Sequence, residues 1–176
     1  MASSLFCVRS LARMLALFGS VLALGGAATE AHAANNCPWM SETTASSLLG
    51  VEATGVYVAG TERKPAMCTF TQQIAQGERS LQITVELVGD PQARLAQAEL
   101  TCGTDPAPMH AIGNEAIFCT GETGQSQRSE RAVGRVRDQV FAITFVTSVK
   151  DDSVLTREAL KARIYTASEQ VAGNLF

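Results

Sequence analysis

The sequence predicts an α+β fold: an antiparallel sheet with helices packed on one side, stapled by two disulfides. Three observations predict it. Segments such as "LQITVELV" (81–88) alternate apolar and polar residues, as strands with one solvated face do. Helix caps stand at Ser41, Asp90 and Thr156, each leading into apolar residues at helical spacing. Four cysteines, Cys37, Cys68, Cys102 and Cys119, follow an amino-terminal stretch with the pattern of an export signal.

That stretch comes first. Arg9 and Arg13 precede the uncharged apolar run Met14 to Leu24, and Ala31-His32-Ala33 has the A-x-A form of a signal-peptidase site. The run suits a signal segment and falls short of the roughly 20 residues that span a bilayer. Residues 1–33 are therefore expected to be a signal peptide, and 34–176 a single α+β domain. Removing the leader takes away Arg9, Arg13 and Glu30, leaving twelve basic and sixteen acidic residues, a net charge of about −4. Nucleic-acid binding needs a basic footprint, so that class is excluded. No later apolar run is long enough to span a membrane.

Cys7 leaves with the leader, and the even count that remains in an exported chain reads as a disulfide framework. Four cysteines allow three connectivities. The sequential pairs Cys37–Cys68 and Cys102–Cys119 are expected because each closes a modest loop. Zinc is the rival. The gaps of 31, 34 and 17 positions contain no short C-x-x-C knuckle, so no metal is expected.

The elements follow in order. "SETTASSLLG" reads as a short helix with Ser41 as N-cap and Gly50 at the left-handed C′ position. Trp39, beside the first disulfide, is expected in the core. A glycine-flanked stretch around "GVYVAG" precedes two strands, "MCTFTQQI" and "LQITVELV", joined by a short hairpin through Gly77. Asp90 as N-cap and Pro91 at N1 start a second helix. Leu95, Ala98 and Cys102 share one of its faces, so a Cys102–Cys119 bond would fasten it to the strand holding "AIFCT". "SERAVGRVR" and "VFAITFVTS" read as strands joined tightly near Asp138. The last helix takes Thr156 as N-cap, Leu155 and Leu160 as a hydrophobic staple, and Leu160, Ile164, Ala167, Val171 and Leu175 as its apolar stripe. Strand–strand–helix thus occurs at 67–102 and again at 129–175, without residue identities that establish a duplication.

Two sets of residues could carry function. His110 follows the proline-rich "TDPAPM" and precedes a Gly113-Asn114 turn signal. Glu115 or Asp105 could serve it as a partner in acid–base chemistry. The spacing requires neither, and no G-x-S-x-G, H-E-x-x-H or phosphate-cradling glycine loop is present. His110 is therefore read as a loop residue. Arg131, Arg135 and Arg137 share strand parity, with Val133 between them and Arg128 in the preceding loop. Gathered guanidinium groups hold carboxylate or phosphate bidentately. The plainer reading is a solvated face whose arginines pair with Glu86 and Glu130 and guard against edge pairing.

"CPWMS" running into "SLLG", then "CTFT" before a long strand, resembles the small exported domains of unknown function found among bacterial lipoproteins. Cys37, Leu49, Gly50 and Cys68 carry that match, and "AIGNEA" (Ala111–Ala116) is similar to the glycine–acid–alanine turn before their second half. The resemblance covers most of the chain after the leader, and the terminal helix fits it. It implies a PsbP-like α+β sheet and a binding or sensing role rather than catalysis. The chain departs from those lipoproteins in lacking the lipidated cysteine.

The functional expectation is an exported, periplasmic or extracellular, non-catalytic binding or sensing domain without a cofactor. An acidic ligand, a cell-wall polymer or a protein would dock on Arg128, Arg131, Arg135 and Arg137. Two alternatives stand beside it: an envelope hydrolase using His110 with Glu115 or Asp105, and a secreted inhibitor or interaction protein with an arginine-rich face.

Overall fold

The computed structural model describes residues 36–103, 106–123 and 127–176. The expected leader, Cys7, His32 and Asp105 lie outside the described residues. Helix α1 (Glu42–Leu49) is followed by strands β1 (Thr54–Val58), β2 (Ala66–Ile74) and β3 (Gly77–Leu87), then helix α2 (Pro91–Leu100). Strands β4 (Ala107–Pro108), β5 (Glu115–Thr123), β6 (Arg128–Val136) and β7 (Gln139–Thr147) lead to helix α3 (Arg157–Leu175). All seven strands form one antiparallel sheet in the order β1-β2-β3-β7-β6-β5-β4. With both disulfides, Cys37–Cys68 and Cys102–Cys119, this is the α+β architecture the alternation and caps predict.

Each helix begins where its cap dictates. Ser41 Oγ accepts from Thr44 N–H at 3.1 Å, Asp90 Oδ1 from Ala93 N–H at 2.9 Å, and Thr156 Oγ1 from Ala159 N–H at 3.2 Å. Gly50 closes α1 at φ +102°, a conformation that costs glycine little. The tight connection between β6 and β7 consists of Arg137 and Asp138, with Arg137 forced to φ +54°. The proline-rich stretch before His110 contributes the two-residue strand β4 at one sheet edge, which the absence of alternation hid.

Register divides the sheet into two faces. Cys68, Phe70, Leu81, Ile83, Phe141, Ile143, Phe145, Ala132 and Phe118 share one of them, and all are buried. Helices α1 and α3 cover this face, α3 through the stripe Leu160, Ile164, Ala167, Val171 and Leu175. Trp39 closes the same core and meets Tyr57 edge-on at 6.0 Å. Packing of the helices on one side holds only for these two. Helix α2 lies on the opposite face, where Leu95, Ala98 and Cys102 bury against Ile117, Cys119, Val133 and Val140. The cause is parity: Cys119 points away from Phe118, so a bond to Cys102 carries α2 to the other side.

A buried ion pair ties the main face together. Arg79 donates to both carboxylate oxygens of Asp152, each at 2.8 Å, and also to the Leu49 carbonyl and Gln72 Oε1, each at 3.2 Å. Asp152 further accepts from Thr147 Oγ1 at 2.8 Å and from the Val154 and Leu155 N–H groups, each at 2.9 Å. Burial alone would raise the Asp152 carboxyl. The bonds from Arg79, Leu155, Thr147 and Val154 outweigh it and hold the carboxyl far below the usual carboxylate range. This network joins the end of α1, β2, β3, β7 and the entry to α3.

Candidate functional site

Helix α2 covers only part of its face, over β5, β6 and β7. Residues of β1 to β3 on that side, such as Val56, Val58 and Gln82, remain exposed. At the margin of α2 a recess of about 120 Å³ opens between helix and sheet, with Arg94, Arg131, Glu86 and Thr84 in its wall and Ala98 and Val133 behind them. Arg94 comes from the first half of α2, one residue before the buried Leu95, so it flanks the packed stripe. Arg131 and Thr84 come from β6 and β3 on the same sheet face.

The charges in the recess are unevenly matched. Arg94 Nε lies 2.6 Å from Glu86 Oε1. Arg131 is half-buried and has no hydrogen-bond or ion-pair partner among the described residues. Burial, and then the neighbouring Arg94 guanidinium, hold Arg131 below the ordinary value of an arginine. Two guanidiniums facing one carboxylate leave one positive charge uncompensated. Such a site can take a carboxylate or a phosphate, whose oxygens match the guanidinium fork.

The four arginines singled out in the sequence do not assemble. Arg131 and Arg135 share the α2 face, but Arg135 Nε is 3.3 Å from Glu115 Oε2. Arg137 leaves the strand, sits in the β6–β7 turn and stacks over the Phe176 ring at 5.7 Å. Arg128 has the opposite parity to Arg131 and donates to the Leu155 carbonyl at 3.0 Å, on the α3 side. Of the two glutamates expected to pair with these arginines, Glu86 bonds Arg94 instead, and Glu130 is buried on the main face. Val133, expected between arginines on a solvated surface, is buried under α2.

His110 is exposed in the turn that precedes β5, and Asn114 in that turn accepts from Arg137 N–H at 2.7 Å. Glu115 is engaged with Arg135. Among the described residues no group of three or more His, Cys, Asp or Glu side chains could hold a metal ion, and no helix is long and apolar enough to cross a membrane. Sequence reasoning missed Arg94 and Thr84. The signal for Arg94 was available in the Cys102–Cys119 link, since carrying α2 to the Cys119 face also brings Arg94 beside Arg131. No family model, curated protein or solved structure matches the chain.

Proposed function

We propose that this chain is an exported, non-catalytic binding or sensing domain that takes an acidic ligand at the Arg131 recess. Two disulfides favour an oxidising compartment outside the cytoplasm, as does the leader-like start of the sequence. One observation carries the binding reading: Arg131 is a half-buried guanidinium without a partner among the described residues, beside a second arginine. Burying an unpaired cation is costly, and a bound anion removes that cost. The likeness to small exported lipoprotein domains points the same way, toward binding.

The test is thermal unfolding of the purified, disulfide-bonded protein in acetate, succinate and inorganic phosphate, against chloride at equal ionic strength. A ligand of the native state raises the melting temperature by mass action, by about 2.7 kcal/mol of stability at a hundred times its dissociation constant. Stabilisation by an oxyanion in the wild type and its loss in Arg131→Gln is the expected result. An undiminished response in Arg131→Gln, or no response to any of the anions, overturns the reading.

A further inference from the structure

A second depression, of about 680 Å³, adjoins the recess, and Pro65 and Glu86 belong to the walls of both. It lies at the end of the sheet, under the connection from β1 to β2. Trp39, Val88 and Leu87 give it apolar walls, and Leu87 is 74% exposed. Its own charged residues, Glu62, Glu86, Arg63 and Lys64, cancel. The recess, by contrast, holds Arg94 and Arg131 against Glu86 alone. Positive charge is therefore confined to the small end of a cleft whose larger part is neutral and partly apolar.

We infer that the ligand is an amphipathic monoanion, with one carboxylate or phosphate head between Arg131 and Arg94 and a neutral, apolar body along Leu87, Val88 and Pro65. This rests on the binding reading above and adds the ligand's class. A polyanion fits the cleft poorly, because a second negative group beyond Glu86 meets no surplus of cations. A small inorganic anion would fill the recess and leave Leu87 in water. An amphiphile satisfies both parts of the cleft at once.

The experiment is isothermal titration of the purified, disulfide-bonded protein with butanoate, hexanoate and octanoate, with octanamide as the uncharged control and octyl phosphate as the alternative head. Each methylene that enters the cleft tightens binding about fourfold, so affinity rises from butanoate to octanoate. Octanamide binds at least tenfold more weakly than octanoate or octyl phosphate, and tighter binding of either charged head supports the inference. Arg131→Gln weakens octanoate about ten- to a hundredfold, the worth of a charge-assisted hydrogen bond, while circular dichroism stays unchanged. Leu87→Gln flattens the dependence on chain length and leaves butanoate unaffected, whereas Arg135→Gln changes nothing. If all three carboxylates bind equally through Arg131, the anion site stands and the amphipathic ligand is refuted. If Arg131→Gln binds octanoate as the wild type does, both readings fall.

Discussion

Replacing Asp152 with asparagine tests the buried ion pair directly. The carboxylate accepts five hydrogen bonds, two of them from Arg79. Asparagine keeps one acceptor oxygen. Placed like Oδ1, it retains Arg79 Nη2 and the Val154 and Leu155 N–H groups, but its amide NH₂ then faces Arg79 Nε–H, donor against donor. The negative charge is lost while Arg79, 5% exposed, stays buried. Removing one member of a buried pair costs about 3–5 kcal/mol, against a total stability of roughly 5–15 kcal/mol. For a domain of this size that lowers the melting temperature by roughly 10–20 °C. The pH dependence supplies a second readout. Asp152 is held low in the folded state and titrates near 3.9 when unfolded. Its stabilisation is therefore complete above that value and fades as pH falls from about 4 toward the folded pKa. Urea unfolding of both proteins from pH 7 down to pH 2 should show the gap between them narrowing below pH 4, by at most about 1.4 kcal/mol per pH unit. A gap below 1 kcal/mol at pH 7, or one that stays constant down to pH 2, refutes the argument.

Three further outcomes follow from the packing. Changing Cys102 and Cys119 together to alanine releases a loop whose closure is worth about 3 kcal/mol on the chain-entropy model; hydrogen exchange should then quicken in residues 91–100 before it quickens in α3, and equal protection in both would contradict the separate seat of α2. Gly134→Ala sets a methyl group 2.5 Å from the Phe141 ring and 2.9 Å from the Ala116 Cβ, which costs about 1–3 kcal/mol by overpacking and lowers the midpoint of denaturant unfolding. Gly173→Ala, inside α3 with nothing within 4 Å of the new Cβ, should raise that midpoint by roughly 0.5–1 kcal/mol of stability through helix propensity alone.

Much of the fold was legible because local chemistry specified it. Ser41, Asp90 and Thr156 each make the capping bond their position predicts, and the alternation in 81–87 is the burial pattern of β3. The sequence left open which face each helix would choose, since an apolar stripe fits either side of a sheet. Only the parity of Cys119 against Phe118 decides that for α2, and the bond that uses it is a long-range fact. The arginine row misled for a related reason. Strand parity put Arg131, Arg135 and Arg137 together, yet the strand ends at Val136 and the positive φ of Arg137 turns it out of the row. Arg94 was invisible as a neighbour of Arg131 because nothing local links residue 94 to residue 131.

The sheet handles its arginines in opposite ways on its two faces, and the contrast separates structure from site. Arg79 is deeply buried and saturated: its guanidinium meets a carboxylate bidentately, a carbonyl and an amide oxygen, so no capacity remains for a ligand. Arg131 is only half-buried, near the margin of α2, and none of its donors meets an acceptor among the described residues. Closing the first network stabilises the fold, because every polar group removed from water is compensated. Leaving the second open costs stability, and the neighbouring Arg94 adds to that cost. Glu86, already placed within 2.6 Å of Arg94, offsets half of the recess charge without approaching Arg131. An arginine serving the fold alone would sit more cheaply in solvent or against a glutamate, as Arg135 does against Glu115. The open guanidinium is thus where a ligand gains most from binding.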